Sequence, residues 1–273
     1  MTRARLIFLP GLAFLVCMSL VSRGAAQSAA PPPRGVKLPA VEEKIFELVN
    51  RERARRGLTA LRFSKRLQEV ARFHSRNMAE FRFFSHVDHQ GRRVGERCRQ
   101  RFPRLLGGFG ENIAYMAGHV GPNLATQFVE QWMNSKGHRK NILSRDYDYL
   151  GVGVVRKGDR YYATQVFGSL VAFLETELPQ KLPYGGRQRL DFTFLGTFPR
   201  EELSIYVTFP DRKARYFVSD ESYYVGGGPF IPTWHGANVF SVDLAFQYGK
   251  GVYRLSVGRN GLYFEKGYEI RVF

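Results

Sequence analysis

The chain has 273 residues, of which 44% are hydrophobic and 14% aromatic, and its formal net charge at pH 7 is +17. This length suffices for one large domain or two ordinary ones, each able to bury a core without disulfides or metals. The apolar content excludes a chain that is disordered throughout.

The first 26 residues have the three parts of an export signal. Arg3 and Arg5 precede the sixteen apolar residues 6–21, and small residues follow as far as Ala26. Because a transmembrane anchor needs about 20 apolar residues, a cleaved signal peptide over residues 1–26 is favoured over a retained anchor. The sequence therefore predicts an exported protein, either periplasmic or secreted.

Signal cleavage would leave a strongly basic chain with one cysteine. It would remove three arginines (Arg3, Arg5 and Arg23) and no acids, which leaves a charge of 17 − 3 = +14. Cys98 would then be buried or would pair with another molecule, since no intrachain disulfide is possible. Residues 27–40, QSAAPPPRGVKLPA, have the composition of a spacer.

Apolar periodicity predicts three amphipathic helices in the next part of the chain. The first begins at Val41 and stops before Gly57, and the second has Ser64 as its N-cap. His74 lies on the apolar stripe of the second helix, which is typical of a core histidine. The third helix, NLATQFVEQWMNSKG, ends at Gly137.

The remaining patterns predict strands. GVGVVRKGDRYYATQVFG indicates two strands joined by a turn at residues 157–159. From residue 190 onward, apolar and polar residues alternate with turn residues between the runs, which predicts a small antiparallel, immunoglobulin-like β-sandwich over residues 189–273. Residues 173–188 are the predicted linker.

Five motifs carry a resemblance to a known family. HSRNMAEFRFFSH, GENI, QWMNSKGHRKNIL, DYDYLGVGVV and YYATQVFG occur in the order and spacing typical of the CAP superfamily (cysteine-rich secretory, antigen 5 and pathogenesis-related proteins, the SCP domain), in the bacterial style. The resemblance spans residues 41–172. It implies an α-β-α sandwich with a cleft that holds two histidines and two acids. The expected fold class is therefore α+β, with a CAP-like α-β-α sandwich followed by a small all-β antiparallel sandwich.

The resemblance assigns part of this cleft. By similarity, His86 and Glu111 hold two of its positions, whereas the family's second acid and second histidine correspond to Ser135 and Tyr162. His138, typical of the bacterial branch, is a candidate for bringing a second imidazole into the cleft.

Each cleft candidate also has a structural interpretation. His86 could bond a backbone carbonyl. Glu111, in a Gly-rich and Arg-rich loop, could accept backbone N–H groups at the start of a helix, as could Asn112. His138 could bond the last carbonyls of the third helix.

His86, Glu111 and His138 are the candidate catalytic residues and the candidate ligands of a divalent metal such as zinc. Two histidines and a carboxylate suffice for a catalytic zinc with bound water, although no local H-E-x-x-H spacing supports the set. The predicted function is an exported ligand- or metal-binding module at the cell envelope. The alternative is a metal-assisted hydrolase of peptide or cell-wall material.

Two arginine-rich runs bear on possible partners: residues 51–56, RERARR, and residues 92–104, RRVGERCRQRFPR. A solvated surface is the first interpretation, and anionic envelope polymers or a membrane surface are the second. Nucleic acid is not expected for an exported chain. The cleft itself would take a small ligand or a lipid, by resemblance to the family.

Overall fold

A computed structural model describes residues 37–118, 121–179, 181–264 and 266–273, which belong to one compact unit. The predicted signal peptide and most of the predicted spacer lie outside these residues. None of the helices in the described ranges has the length and apolar content needed to cross a bilayer.

Five α-helices lie in the first part of the described chain: α1 (Leu38–Ala54), α2 (Lys65–Phe81), α3 (Val94–Arg101), α4 (Leu124–Asn134) and α5 (Lys136–Leu143). Fourteen strands are found in the described residues: β1 (Arg62–Phe63), β2 (Leu105–Ala117), β3 (Tyr149–Lys157), β4 (Arg160–Leu174), β5 (Arg187–Phe194), β6 (Leu203–Thr208), β7 (Arg215–Phe217), β8 (Tyr223–Val225), β9 (Gly227–Pro229), β10 (Thr233–Trp234), β11 (Val239–Ala245), β12 (Gly251–Arg259), β13 (Leu262–Tyr263) and β14 (Tyr268–Val272).

The helix starts follow local chemistry. Helix α1 begins at Leu38, inside the predicted spacer, because a proline in the first turn removes an N–H that has no partner there in any case. Helix α2 begins after Ser64, whose hydroxyl accepts a hydrogen bond from the backbone N–H of Leu67 at 3.4 Å. The predicted N-cap is therefore confirmed.

The predicted third helix is two helices. Helix α4 ends at Asn134, and α5 starts at Lys136 after a break at Ser135. Gly137 lies in the first turn of α5, so the prediction that it terminates a helix is wrong.

The GENI motif lies on a strand. β2 pairs antiparallel with β4, with Glu111 opposite Val166, so the predicted loop is wrong. The glycines here allow close packing: a Cβ at Gly108 would lie 2.5 Å from the Phe264 ring, and one at Gly110 would lie 2.2 Å from the Tyr147 hydroxyl.

The helices and the first strands form the expected α-β-α sandwich. β4 lies between β3 and β2, and neighbouring β4 residues face opposite layers. Val166 packs in the cluster with residues of α2 and α3, and Phe167 packs in the cluster with residues of α1 and α4. The predicted strand pair around residues 157–159 is confirmed as β3 and β4.

The β-rich part continues the same sheet. β4 runs to Leu174, which pairs with Phe192 of β5, and the sheet order is β1-β3-β4-β5-β11-β10 with β2 also on β4. A second sheet, β13-β12-β6-β9 with β14 on β12, packs against β5 and β11 over a shared apolar core. The α+β fold class is confirmed. The connection between β4 and β5 is residues 175–186, shorter than the predicted linker, because both strands extend into it.

Candidate functional site

Glu111 is the centre of the group of side chains that the resemblance assigns to a cleft. Its residue is 7% exposed, and one carboxylate oxygen, Oε1, lies 2.9 Å from His86 Nδ1. The other oxygen, Oε2, accepts a hydrogen bond from the Arg97 guanidinium. Both oxygens of the acid are thus bonded, and the structure brings together His86 and Glu111 as the resemblance implies. The helix-start interpretation of Glu111 is wrong because the residue lies within β2.

Arg97 is a site residue that sequence reasoning missed. It lies on α3 and is 1% exposed, although it belongs to the arginine run interpreted as a solvated surface. Its guanidinium also donates to the carbonyls of His86 at 3.0 Å and Arg92 at 2.6 Å, so it fixes the loop that carries His86. The helical spacing indicates that Arg97 is buried, because Val94, Arg97 and Cys98 lie on one face of the helix.

The other arginine run also buries one member. Arg53 is 3% exposed and donates hydrogen bonds to the carbonyls of Thr59, Ile142 and Ser144. This guanidinium therefore provides hydrogen-bond donors for backbone carbonyls in the loop after α1 and at the end of α5. Each run therefore combines surface arginines with a fully buried structural arginine, and the surface interpretation is wrong for Arg53 and Arg97.

His86 is oriented by Glu111. Its side chain is 48% exposed. An ionised carboxylate can only accept a hydrogen bond, so Nδ1 of His86 carries the proton of their bond. Nε2 is then the acceptor nitrogen whenever the ring is neutral. This arrangement presents one defined hydrogen-bond acceptor to a ligand.

His138 lies beside His86, with 6.4 Å between the ring centroids. Partial burial lowers the pKa of His138, and the neighbouring His86 lowers it further. His138 belongs to the first turn of α5, so it does not cap the end of the preceding helix. The structure therefore brings the three predicted site residues into one region.

Asn112 positions His138. Its side-chain amide donates to the His138 carbonyl at 3.0 Å and to Gln165 at 3.0 Å, and it accepts from Asn141 at 2.9 Å. Asn141 also donates to the Glu111 carbonyl at 3.1 Å. Adjacent residues of the GENI motif thus have different roles. The Glu111 side chain orients His86, and the Asn112 side chain forms hydrogen bonds that hold α5 in place. The helix-start interpretation of Asn112 is wrong.

His74 lies behind the site as a core residue. It is fully buried, its Nε2 lies 2.9 Å from the Ser85 carbonyl, and burial lowers its pKa to about 4. Its ring is therefore neutral at pH 7. The interpretation of His74 as a core histidine agrees with this placement.

A comparison with known protein families identifies this part of the chain. Residues 46–167 match CAP, the cysteine-rich secretory protein family. Residues 46–167 are a CAP domain. The bacterial resemblance is also confirmed: "Uncharacterized membrane protein YlbC" of Bacillus subtilis is 40% identical over 126 residues, and "Uncharacterized protein YkwD" of the same organism is 37% identical over 121 residues.

These matches cover part of each protein. They span 46% and 44% of this chain, and 34% and 44% of the two relatives, respectively. Among solved structures, an extracellular protein containing an SCP domain from Bacillus anthracis has 35% identity and a TM-score of 0.42, covering 48% of this chain and 40% of that chain. A cysteine-rich secretory protein from Staphylococcus aureus has 21% identity and a TM-score of 0.38, covering 49% and 40%.

Two of the four cleft positions implied by the resemblance hold Tyr162 and Ser135. Tyr162 is 4% exposed and packs with Met78 and Ile113 in a small apolar cluster. Ser135 is the residue that separates α4 from α5. Neither position supplies an acid or an imidazole.

The donor set of the CAP cleft does not fit a metal ion. Across the described residues, no group of three or more His, Cys, Asp or Glu side chains is arranged to hold one. The Arg97 guanidinium occupies one oxygen of Glu111, and its positive charge repels a cation at that carboxylate. Metal binding to Glu111 would disrupt a buried ion pair, which is strongly unfavourable.

Proposed function

We propose that the protein is an exported binding module whose CAP cleft holds a polar group of an envelope component through His86 and His138, without a metal. The observation that carries this proposal is the enclosure of Glu111 by His86 and Arg97. The acid is committed to orienting His86, and the two imidazoles are the groups available to a ligand.

The chemistry of the two rings favours a ligand with hydroxyl or amide groups. A neutral imidazole offers one N–H donor and one acceptor nitrogen. His86 presents its acceptor, and the lowered pKa of His138 keeps that ring neutral near pH 7. Two neighbouring rings can therefore bind a group that donates at one point and accepts at another.

A metal-assisted hydrolase is the alternative that the same residues suggest. It requires Glu111 as a ligand or as a base with a free oxygen. The bonds from His86 and Arg97 oppose both roles, so binding is the better-supported function.

The envelope location rests on the sequence. The predicted signal peptide supports export, and the charge of +14 expected after its removal (17 − 3, from Arg3, Arg5 and Arg23) attracts anionic surfaces. Salt weakens this attraction, because the electrostatic screening length is only about 10 Å at 0.1 M ionic strength.

Co-sedimentation with isolated cell-wall sacculi and with anionic phospholipid vesicles, at low and at high salt, tests the proposal. Wild type is expected to pellet with one of them at low salt. The His86→Ala/His138→Ala double variant is expected to pellet less, whereas His89→Ala, an exposed histidine, is the matched control and retains binding. Absence of wild-type binding, or equal binding by the double variant, contradicts the proposal.

A further inference from the structure

A cavity lies where the CAP domain meets the β-sandwich. It encloses about 660 Å³ between residues 145–148, which precede β3, and residues 259–264 at the turn of the β12–β13 hairpin. Gly108 of β2 lines it as well. A neighbouring cavity of about 360 Å³ shares Arg145, Tyr147, Asp148 and Thr197 with the first. The shared lining makes the two cavities one elongated groove, which we call the junction groove.

Aromatic rings with fixed positions line the junction groove. Tyr147 stacks on Phe167 with 5.4 Å between centroids, and the Phe264 ring lies directly against the Gly108 backbone. Tyr263, on the hairpin, is 38% exposed. Rings held in this way offer apolar faces to a ligand at a small entropic cost.

Polar groups without protein partners lie between these rings. Within the described residues, no hydrogen bond or ion pair involves the hydroxyls of Tyr147, Ser169 and Thr197 or the charged groups of Arg145 and Asp148. Arg259, in contrast, is ion-paired with Glu202 and lies over the Phe198 ring at 5.1 Å. Partner-free hydroxyl, carboxylate and guanidinium groups beside aromatic faces are the recognition groups of a polar ligand with an apolar face.

The larger cavity of the junction groove is electrically balanced although the protein is strongly basic. The smaller cavity adds Arg62 and also Arg53, whose guanidinium is bonded to three backbone carbonyls. The larger cavity is lined by two arginines, Arg145 and Arg259, and by two aspartates, Asp146 and Asp148. An anionic ligand would meet both carboxylates, and a cationic one would meet both guanidinium groups. The balance of the larger cavity favours an uncharged ligand there.

We propose that the junction groove binds a segment of an uncharged sugar polymer. A pyranose ring has an apolar C–H face that stacks on an aromatic ring and a rim of hydroxyls that needs closely spaced donors and acceptors. The elongated shape suits a chain of rings better than a single sugar. A lipid chain would leave the hydroxyl and charged groups of the groove buried without partners, which is costly.

This site is separate from the cleft of the proposed function. The two sites use different residues: His86 and His138 belong to the cleft, whereas Tyr147 and Tyr263 line the junction groove. Sugar binding in the junction groove is expected to be insensitive to salt. The two proposals can therefore fail independently.

Calorimetric titration of the full chain with hexamers of N-acetylglucosamine and of glucose tests the proposal. We expect saturable binding of at least one hexamer, at both low and high salt, and no measurable binding of the corresponding monomer. The two hexamers distinguish an N-acetylhexosamine chain from a hexose chain. A galacturonate hexamer is the charged comparison.

Variants then locate the binding. Tyr263→Ala is expected to weaken hexamer binding about tenfold through the loss of a stacked ring. Tyr147→Phe keeps the ring and removes the hydroxyl, and is expected to weaken binding about fivefold. Tyr223→Ala, an exposed tyrosine outside the groove, and His86→Ala, in the cleft, are the controls and are expected to bind as wild type.

Two results would overturn the proposal. One is the absence of binding by both neutral hexamers, whether or not the galacturonate hexamer binds. The other is wild-type affinity in both Tyr263→Ala and Tyr147→Phe. If His86→Ala alone loses the hexamer, the sugar binds in the cleft and the junction-groove proposal fails while the cleft proposal stands.

Discussion

Replacement of Arg97 by methionine tests the buried ion pair that defines the cleft. Methionine fills similar space but leaves the Glu111 carboxylate, 7% exposed, without its cationic partner. Removal of one partner from a buried pair costs about 3–5 kcal/mol, because the remaining charge is uncompensated. We expect Arg97→Met to lower the free energy of unfolding by about 4 kcal/mol.

Urea unfolding at pH 7 measures this loss, and two further variants isolate its cause. The double variant Arg97→Met/Glu111→Gln removes the orphaned charge and is expected to be more stable than Arg97→Met alone. Arg101→Met, on the same helix, breaks only the exposed pair with Glu69 and is expected to change stability by less than about 1 kcal/mol. Arg97→Met with a stability within about 1 kcal/mol of wild type would refute the reasoning.

Three further outcomes are expected. Burial lowers the folded-state pKa of His74 to about 4 from 6.5, so its stabilising contribution is present above pH 6.5 and is lost as the pH falls toward 4. Between pH 7 and pH 5, urea unfolding is expected to show a loss about 2 kcal/mol larger in wild type than in His74→Gln, and equal losses would refute the assignment. Gly151→Ala is expected to lower the free energy of unfolding in urea by about 3 kcal/mol, because a Cβ at Gly151 would lie 2.1 Å from the α2 backbone. Gly137→Ala is expected to cost far less, because a Cβ there meets nothing within 4 Å. Similar losses in the two variants would contradict this packing. Burial raises the pKa of Cys98 to about 12, so in a chain lacking residues 1–26 a thiol reagent is expected to modify it only after unfolding, and rapid modification of the native protein would show that the thiol is accessible.

Periodic patterns in the sequence predicted much of the fold. The apolar stripes located α1 and α2, and the polar N-cap located the start of α2. The alternating segments from residue 190 predicted antiparallel strands. The continuous sheet across the two parts could not be inferred, because the pairing of β4 with β5 depends on contacts between segments that periodicity treats separately.

The site residues that belong to a recognisable motif were predictable from the sequence. His86, Glu111 and His138 were found by resemblance, and the structure brings them together. Arg97 was missed because a guanidinium in an arginine-rich run suggests solvent, and only the buried carboxylate opposite it explains its burial. Sequence composition does not identify the Gly-rich GENI segment as a strand, because the rings packed over Gly108 and Gly110 come from distant parts of the chain.

The melting temperature of metal-free wild type with and without zinc tests whether the Arg97–Glu111 pair keeps a metal ion out of the site. A zinc site at a hundredfold excess over its dissociation constant would stabilise the protein by about 2.7 kcal/mol and raise the melting temperature by about 5–10 °C. We expect no such rise, because the Arg97 guanidinium is bonded to the Glu111 carboxylate. A rise of that size that is lost in His86→Ala and in Glu111→Ala would contradict this expectation.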